Sequence, residues 1–272
     1  MRDKNLKYDS ALRKELKVIE RQEAALQRSA DKQNPSKLKR ALEDKVPQKV
    51  YENLQKAFYK AFQIVFEKGT GIIEKTYNRD SIQEDYEINE FAFQLKANHK
   101  VLRKLKSNVM RSNMKNMTIA GLDGIGLGTL GIGLPDIFNF VGLLLRGIYE
   151  VALHYGFDYD SEEERYFILK LIETSMKKGE SWTMCNQEVV SMIENGFSCC
   201  SDMSIDSAKL QEQIRKTSDS LSVDMLVMKF LQGLPLAGTI GGAGNIAYYR
   251  KIMKYVEIMY RKRYLLERLQ YY

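Results

Sequence analysis

Cysteine is scarce and badly placed for a scaffold. Cys185, Cys199 and Cys200 are the 3 in 272 residues, an odd number without CxxC spacing. That argues against a disulfide framework and against a thiolate metal site, and points to a reducing compartment. Histidine is scarcer still, with 2 residues, His99 and His154, and no HExxH. A zinc site of the metalloprotease type is therefore excluded. Four prolines and few Asn-Gly or Asp-Gly pairs leave little of the chemistry that β-hairpins need. No GxxxxGK(S/T), no nucleophile elbow, and no RRM, KH, zinc-finger or helix-turn-helix signature is present. No catalytic residue, cofactor or metal is implied. The start, MRDKNLKYDSALRKELKVIERQEAALQ, lacks an apolar core and does not read as a secretory signal, so a cytoplasmic location is expected.

What remains is a helix-forming chain. Hydrophobic residues make up 44% and charged residues 28%, ordinary for a folded protein. Long Leu/Lys/Glu/Arg-rich windows predict an all-α, single-domain helical bundle. The net charge is +7, which suits an anionic partner, either nucleic acid or an anionic membrane surface.

Residues 1–34 read as a solvated amphipathic helix with Leu6, Leu12, Leu16, Ile19 and Leu26 sparse among charges. Asn34-Pro35 breaks it, so 1–40 is expected as a charged arm and 41–272 as the body. From Pro47, Val50, Leu54, Phe58, Phe62 and Phe66 recur every fourth residue, predicting a core helix closed by Gly69 and Gly71. A further helix is expected over 86–110, carrying Ile88, Phe91, Leu95, Leu102 and Leu105. Ile137 to Phe157 is another apolar stretch, and Ser161 to Glu164 has capping-box spacing. Residues 177–207, with the lone Trp182 and all the cysteines, are the least legible. A long basic and aromatic helix is expected over 248–272.

Two runs stand apart. Met117 to Leu134, MTIAGLDGIGLGTLGIGL, is apolar except for Asp123 and holds six glycines. Each glycine inside a helix costs roughly 1 kcal/mol against alanine, so such a run needs close packing in return. As a helix it would align Gly121, Gly124, Gly128 and Gly131 on one face, bare backbone that a second helix can approach. Met225 to Ala247 repeats the pattern with Gly238 and Gly242, and Gly-Leu-Pro occurs at 133–135 and 233–235. Two closely packed Gly-rich apolar hairpins are expected, in a soluble core, at a membrane interface or spanning it; the alternation from Gly124 to Gly128 also has strand period.

No acidic residue lies between Glu90 and Asp123, but Lys96, Lys100, Arg103, Lys104, Lys106, Arg111 and Lys115 do. A solvated helix face is the plain reading of this run. As a binding surface it favours lipid headgroups, because apolar sequence follows directly and no nucleic-acid motif accompanies it. A second constellation is a polar pocket of Asp136, Arg146, Glu150 and Asp158. Arg146 and Glu150, spaced i, i+4 in apolar surroundings, read as an internal ion pair. Glu150, His154 and Asp158 would share one helix face, a spacing open to metal ligation or acid–base chemistry, with a surface or packing role the plainer reading.

The run GLGTLGIGLPDIFNFVGLLLRGIYEVALHYGFDYDSEEERYFILKLIE resembles the signature of the EcsC family. GLPLAGTIGGAGNIAYYRKIMKYVEIMYRKRYLLE is similar to that family's closing segment. Asp136, Arg146, Gly156, Asp158 and Asn245 fit the pattern, over roughly 45–268. The resemblance implies a bacterial family without assigned activity or catalytic residues, named from a gene beside the two parts of an ABC transporter. The Gly-rich hairpin is loosely similar to helical hairpins attached to some bacterial GTPases. Together these readings lead to a non-catalytic, membrane-associated accessory protein on the inner face of the plasma membrane, with membrane transporter components as possible partners. The alternative is an uncharacterised enzyme or small-ligand-binding protein using the polar pocket.

Overall fold

The computed structural model describes residues 2–32, 47–95, 99–120, 135–195, 205–231 and 242–270. Among these, every regular element is a helix, in a single bundle. Both glycine runs fall largely elsewhere: Gly121, Gly124, Gly128, Gly131 and Gly238 lie outside the described residues, as does Lys96, while Gly242 opens the last helix.

The centre is α5 in the order α1 (Arg2–Asp31), α2 (Gln48–Ile64), α3 (Arg79–Leu95), α4 (His99–Ala120), α5 (Pro135–His154), α6 (Glu162–Met176), α7 (Gly179–Asn195), α8 (Ser207–Leu231) and α9 (Gly242–Gln270). Helix α5 is largely apolar, interrupted on one face by Arg146, Glu150 and His154, and is buried along nearly its whole length. It packs against α2, α3, α4 and α9. Ile137–His154 is long and apolar enough to cross a membrane by length and composition, yet 94% of it is buried within the protein.

The expected stop at Gly69 and Gly71 does not occur. Helix α2 runs on through a π-helical turn (Val65–Gly69) into a short turn (Thr70–Glu74). Gly69 keeps right-handed dihedrals, and the fully buried Ile73 beyond it gains more than the glycines cost. The single helix expected over 86–110 is also corrected. It is two helices, α3 and α4, and Ile88, Phe91 and Leu95 are exposed. The buried positions of α3 are Asn89 and Phe93 instead, while Leu102 and Leu105 of α4 do point inward.

Helix α1 packs on α9 and α7, with Leu12 and Ile19 fully buried. Glu15 pairs with Arg261, and Glu23 pairs with Lys262 at 2.9 Å. Helix α9 is the second hub. Its tyrosines bury their rings and satisfy their hydroxyls, Tyr260 on Glu164 at 2.6 Å, Tyr264 on Glu90 at 2.9 Å and Tyr255 on Asn186 at 2.7 Å. Its cations are paired internally too, Arg263 with Glu164 at 2.7 Å, Arg268 with Glu90 at 3.1 Å and Lys251 with Asp224 at 2.8 Å.

The YGFD corner is a Schellman cap. Gly156 N donates to Leu153 O at 3.0 Å and Phe157 N to Ala152 O at 2.9 Å, with Gly156 at φ 79°. Ser161 then caps α6, accepting from Glu164 N at 3.1 Å. The Glu164 carboxylate serves Tyr260 and Arg263.

Candidate functional site, a polar cavity between α3, α4 and α5

A cavity of about 360 Å³ opens where the turn after α2, the start of α3, the second half of α4 and the end of α5 meet. Its walls include Tyr77, Asn78, Ser81, Asp85, Asn108, Arg111, Ser112, Lys115, Arg146, Glu150 and His154.

The deep wall comes from α5, whose Arg146, Glu150 and His154 succeed one another every fourth residue and are all buried. Arg146 Nε donates to Glu150 Oε1 at 3.1 Å, the ion pair expected from spacing. Asn116 Nδ2 donates to the other carboxylate oxygen at 3.0 Å. Burial pushes the Glu150 carboxyl above its ordinary range, opposed by the Arg146 guanidinium. Arg146 thus engages Glu150 through Nε alone. Its two terminal nitrogens have no partner among the described residues.

His154 Nε2 lies 2.9 Å from Ser112 Oγ. Burial holds this imidazole down at about 4, so it is neutral at physiological pH. A serine–histidine pair suggests an activated nucleophile, but a base this weak extracts a hydroxyl proton poorly. The pair reads as a polar wall.

The outer wall comes from α4. Arg111 and Lys115 are one turn apart and exposed, and neither forms an ion pair among the described residues. Across from them, Asn78 Oδ1 accepts from Ser81 N at 3.0 Å and starts α3. Tyr77 is bonded hydroxyl to hydroxyl with Tyr159 at 2.6 Å, and Tyr159 donates to Glu74 at 2.7 Å. Arg79 closes this corner on Glu74 at 2.6 Å and on Asp158 and Asp160 at 3.2 Å each.

The structure therefore joins residues from two separate sequence features. Arg111 and Lys115 of the basic run meet Arg146, Glu150 and His154 of the apolar stretch. Asp158 does not join them, because α5 ends at His154 and the left-handed Gly156 turns the chain away toward Arg79. The side chain of Asp136 lies outside the described residues. Asn78, Ser81, Asp85, Asn108 and Ser112 complete the lining without any signal in the sequence, since isolated polar residues on separate segments leave no local pattern. Among the described residues no group of three His, Cys, Asp or Glu side chains is placed to hold a metal.

The same α3–α4 hairpin also exposes side chains to solvent. Lys100, Arg103, Lys104, Arg111 and Lys115 are exposed and Lys106 is half-buried. Ile88, Phe91 and Leu95 of α3 and Met110 and Met114 of α4 are exposed as well.

The fold and site define an all-α bundle with a buried central helix and a polar cavity at its end. The chain matches the EcsC protein family over residues 10–265 and belongs to that family. No curated protein and no solved structure matches it.

Proposed function

We propose that this EcsC-family protein is a non-catalytic accessory protein that docks on the anionic inner face of the plasma membrane and serves membrane transport or envelope processes. The carrying observation is that α3 and α4 expose large apolar side chains, Ile88, Phe91, Leu95, Met110 and Met114, as well as the cations of α4. Large apolar side chains exposed beside cations fit the boundary between headgroups and acyl chains. The contrast with α9 supports it: α9 pairs Lys251, Arg261, Lys262, Arg263 and Arg268 with carboxylates, leaving Arg250 and Lys254 exposed, whereas Arg103, Lys104, Arg111 and Lys115 of α4 all lack an ion pair among the described residues. In the sequence, the last turn of α4 already belongs to the Gly-rich apolar run Met117 to Leu134. The transport connection rests on the family resemblance.

Flotation with vesicles tests the reading. The full chain rises with phosphatidylglycerol vesicles at low salt, stays behind with phosphatidylcholine vesicles, and is released by high salt. Each cation near an anionic surface contributes about 1 kcal/mol, so R103Q/K104Q weakens partitioning about thirtyfold. A chain that stays in solution with anionic vesicles contradicts the proposal. The second reading, a small-ligand protein, is favoured by the cavity.

A further inference from the structure

We propose that the cavity between α3, α4 and α5 binds the phosphoryl group of a small hydroxylated organic phosphate, held between Arg111, Lys115 and Arg146. This goes beyond the membrane reading and does not depend on it.

The argument begins with Arg146. It is 8% exposed, lines the cavity, and is bonded to Glu150 through Nε only. An arginine held in this way keeps its terminal nitrogens for a planar, two-pronged contact, the geometry that suits phosphate and carboxylate oxygens. Arg111 and Lys115 bring two further cations to the same space from the facing helix, again without a carboxylate partner among the described residues. Three cations aimed at one volume favour a group that can carry two negative charges and several acceptor oxygens.

The remaining lining limits what else the ligand can be. Two carboxylates face the cavity, Glu150 and Asp85. Glu150 is committed to Arg146 and Asn116, so it adds little net charge. Asp85 stands on α3 beside Ser81, across from α4, and there it repels anions and accepts hydrogen bonds. Asn108 and Ser112 add neutral polar atoms, and His154 is uncharged. A ligand that puts its phosphoryl group toward α4 and α5 and its hydroxyls toward Asp85 and Ser81 meets both ends. The volume of about 360 Å³ accommodates a molecule of a few carbons with its phosphate. Free organic phosphates and polyol phospholipid headgroups share this chemistry.

Calorimetric titration of the full chain with glycerol phosphate tests the site, with glycerol as the uncharged control. Saturable binding of glycerol phosphate and none of glycerol is expected. R111Q/K115Q weakens it at least about tenfold without lowering Tm, since both side chains are exposed. R103Q/K104Q, which removes the same charge outside the cavity, leaves it unchanged. No binding, or equal weakening in both double variants, overturns the proposal.

Phosphatidylglycerol vesicles then separate the two sources. Displacement of vesicle-bound protein by excess glycerol phosphate assigns the cavity to the lipid headgroup. Vesicle binding that persists while glycerol phosphate still fills the cavity, or glycerol phosphate binding with no vesicle binding at all, assigns it to a free phosphate. Vesicle binding with no uptake of glycerol phosphate overturns the cavity proposal and leaves the membrane reading standing.

Discussion

His154 carries the sharpest residue-scale consequence. Its ordinary value is 6.5, and burial lowers it to about 4 in the fold. Between those values the unfolded chain takes up a proton that the folded chain refuses. Stability contributed by the neutral imidazole is therefore lost as pH falls through that window, by up to about 3 kcal/mol. Replacing it by glutamine removes this dependence. The gap in Tm between wild type and His154→Gln should shift against wild type as the buffer moves from pH 7 to pH 5; a constant gap refutes the assignment. Arg146 and Glu150 form the other residue-scale test. Removing one member of a buried pair strands the other, so Arg146→Met costs about 3 kcal/mol in denaturant melts. The double variant R146M/E150L recovers most of that loss, because no charge is left buried. Additive losses would mean that the two side chains do not act as a pair.

Elements tell how much of this fold can be read from residue order. The buried face of α2 and the identity of α5 follow from spacing, because runs of large apolar residues leave one packing option. The Arg146–Glu150 pair is legible for the same reason, since i, i+4 spacing fixes proximity within a helix. The burial of α3 is not legible in its sequence, because periodicity reports which residues are apolar, not whether a partner covers them; Ile88, Phe91 and Leu95 form a stripe left exposed. The cavity was half legible. Its α5 wall and its two α4 cations were visible as separate features, but their meeting depends on how α4 packs on α5, and Asn78, Ser81 and Asp85 arrive from α3 and the turn before it. At the end of α5, Gly156 is left-handed and the Tyr86 ring occupies the space a Cβ would need. Gly156→Ala therefore costs about 2 kcal/mol or more, measured by chemical denaturation. A neutral result there would mean that the cap relaxes freely. Helix α1, whose apolar residues are sparse, is tied down by the fully buried Leu12 and Ile19. Leu12→Ala should cost about 3 kcal/mol, and an effect below about 1 kcal/mol would place α1 outside the cooperative core.

At the scale of the whole molecule the question is where an excess of +7 charges resides. The longest aromatic and basic stretch of the chain, α9, is an internal element whose cations hold α1, α3 and α6 through Glu15, Glu23, Glu90 and Glu164. The α3–α4 hairpin is different, since cations and large apolar side chains are exposed on it together. The α3–α4 hairpin thus carries the groups that suit an anionic, partly apolar surface, and the same helix α4 lines the cavity. Three exposed methionines report on this arrangement without any label: Met110 and Met114, 50% and 62% exposed on α4, and Met184, 58% exposed on α7. Methionine oxidation by dilute peroxide, followed by peptide mass spectrometry, should be measured with and without phosphatidylglycerol vesicles. Docking through the hairpin predicts that vesicles slow oxidation of Met110 and Met114 while Met184 reacts at its free rate. Unchanged oxidation of all three, or protection of Met184 instead, would contradict it.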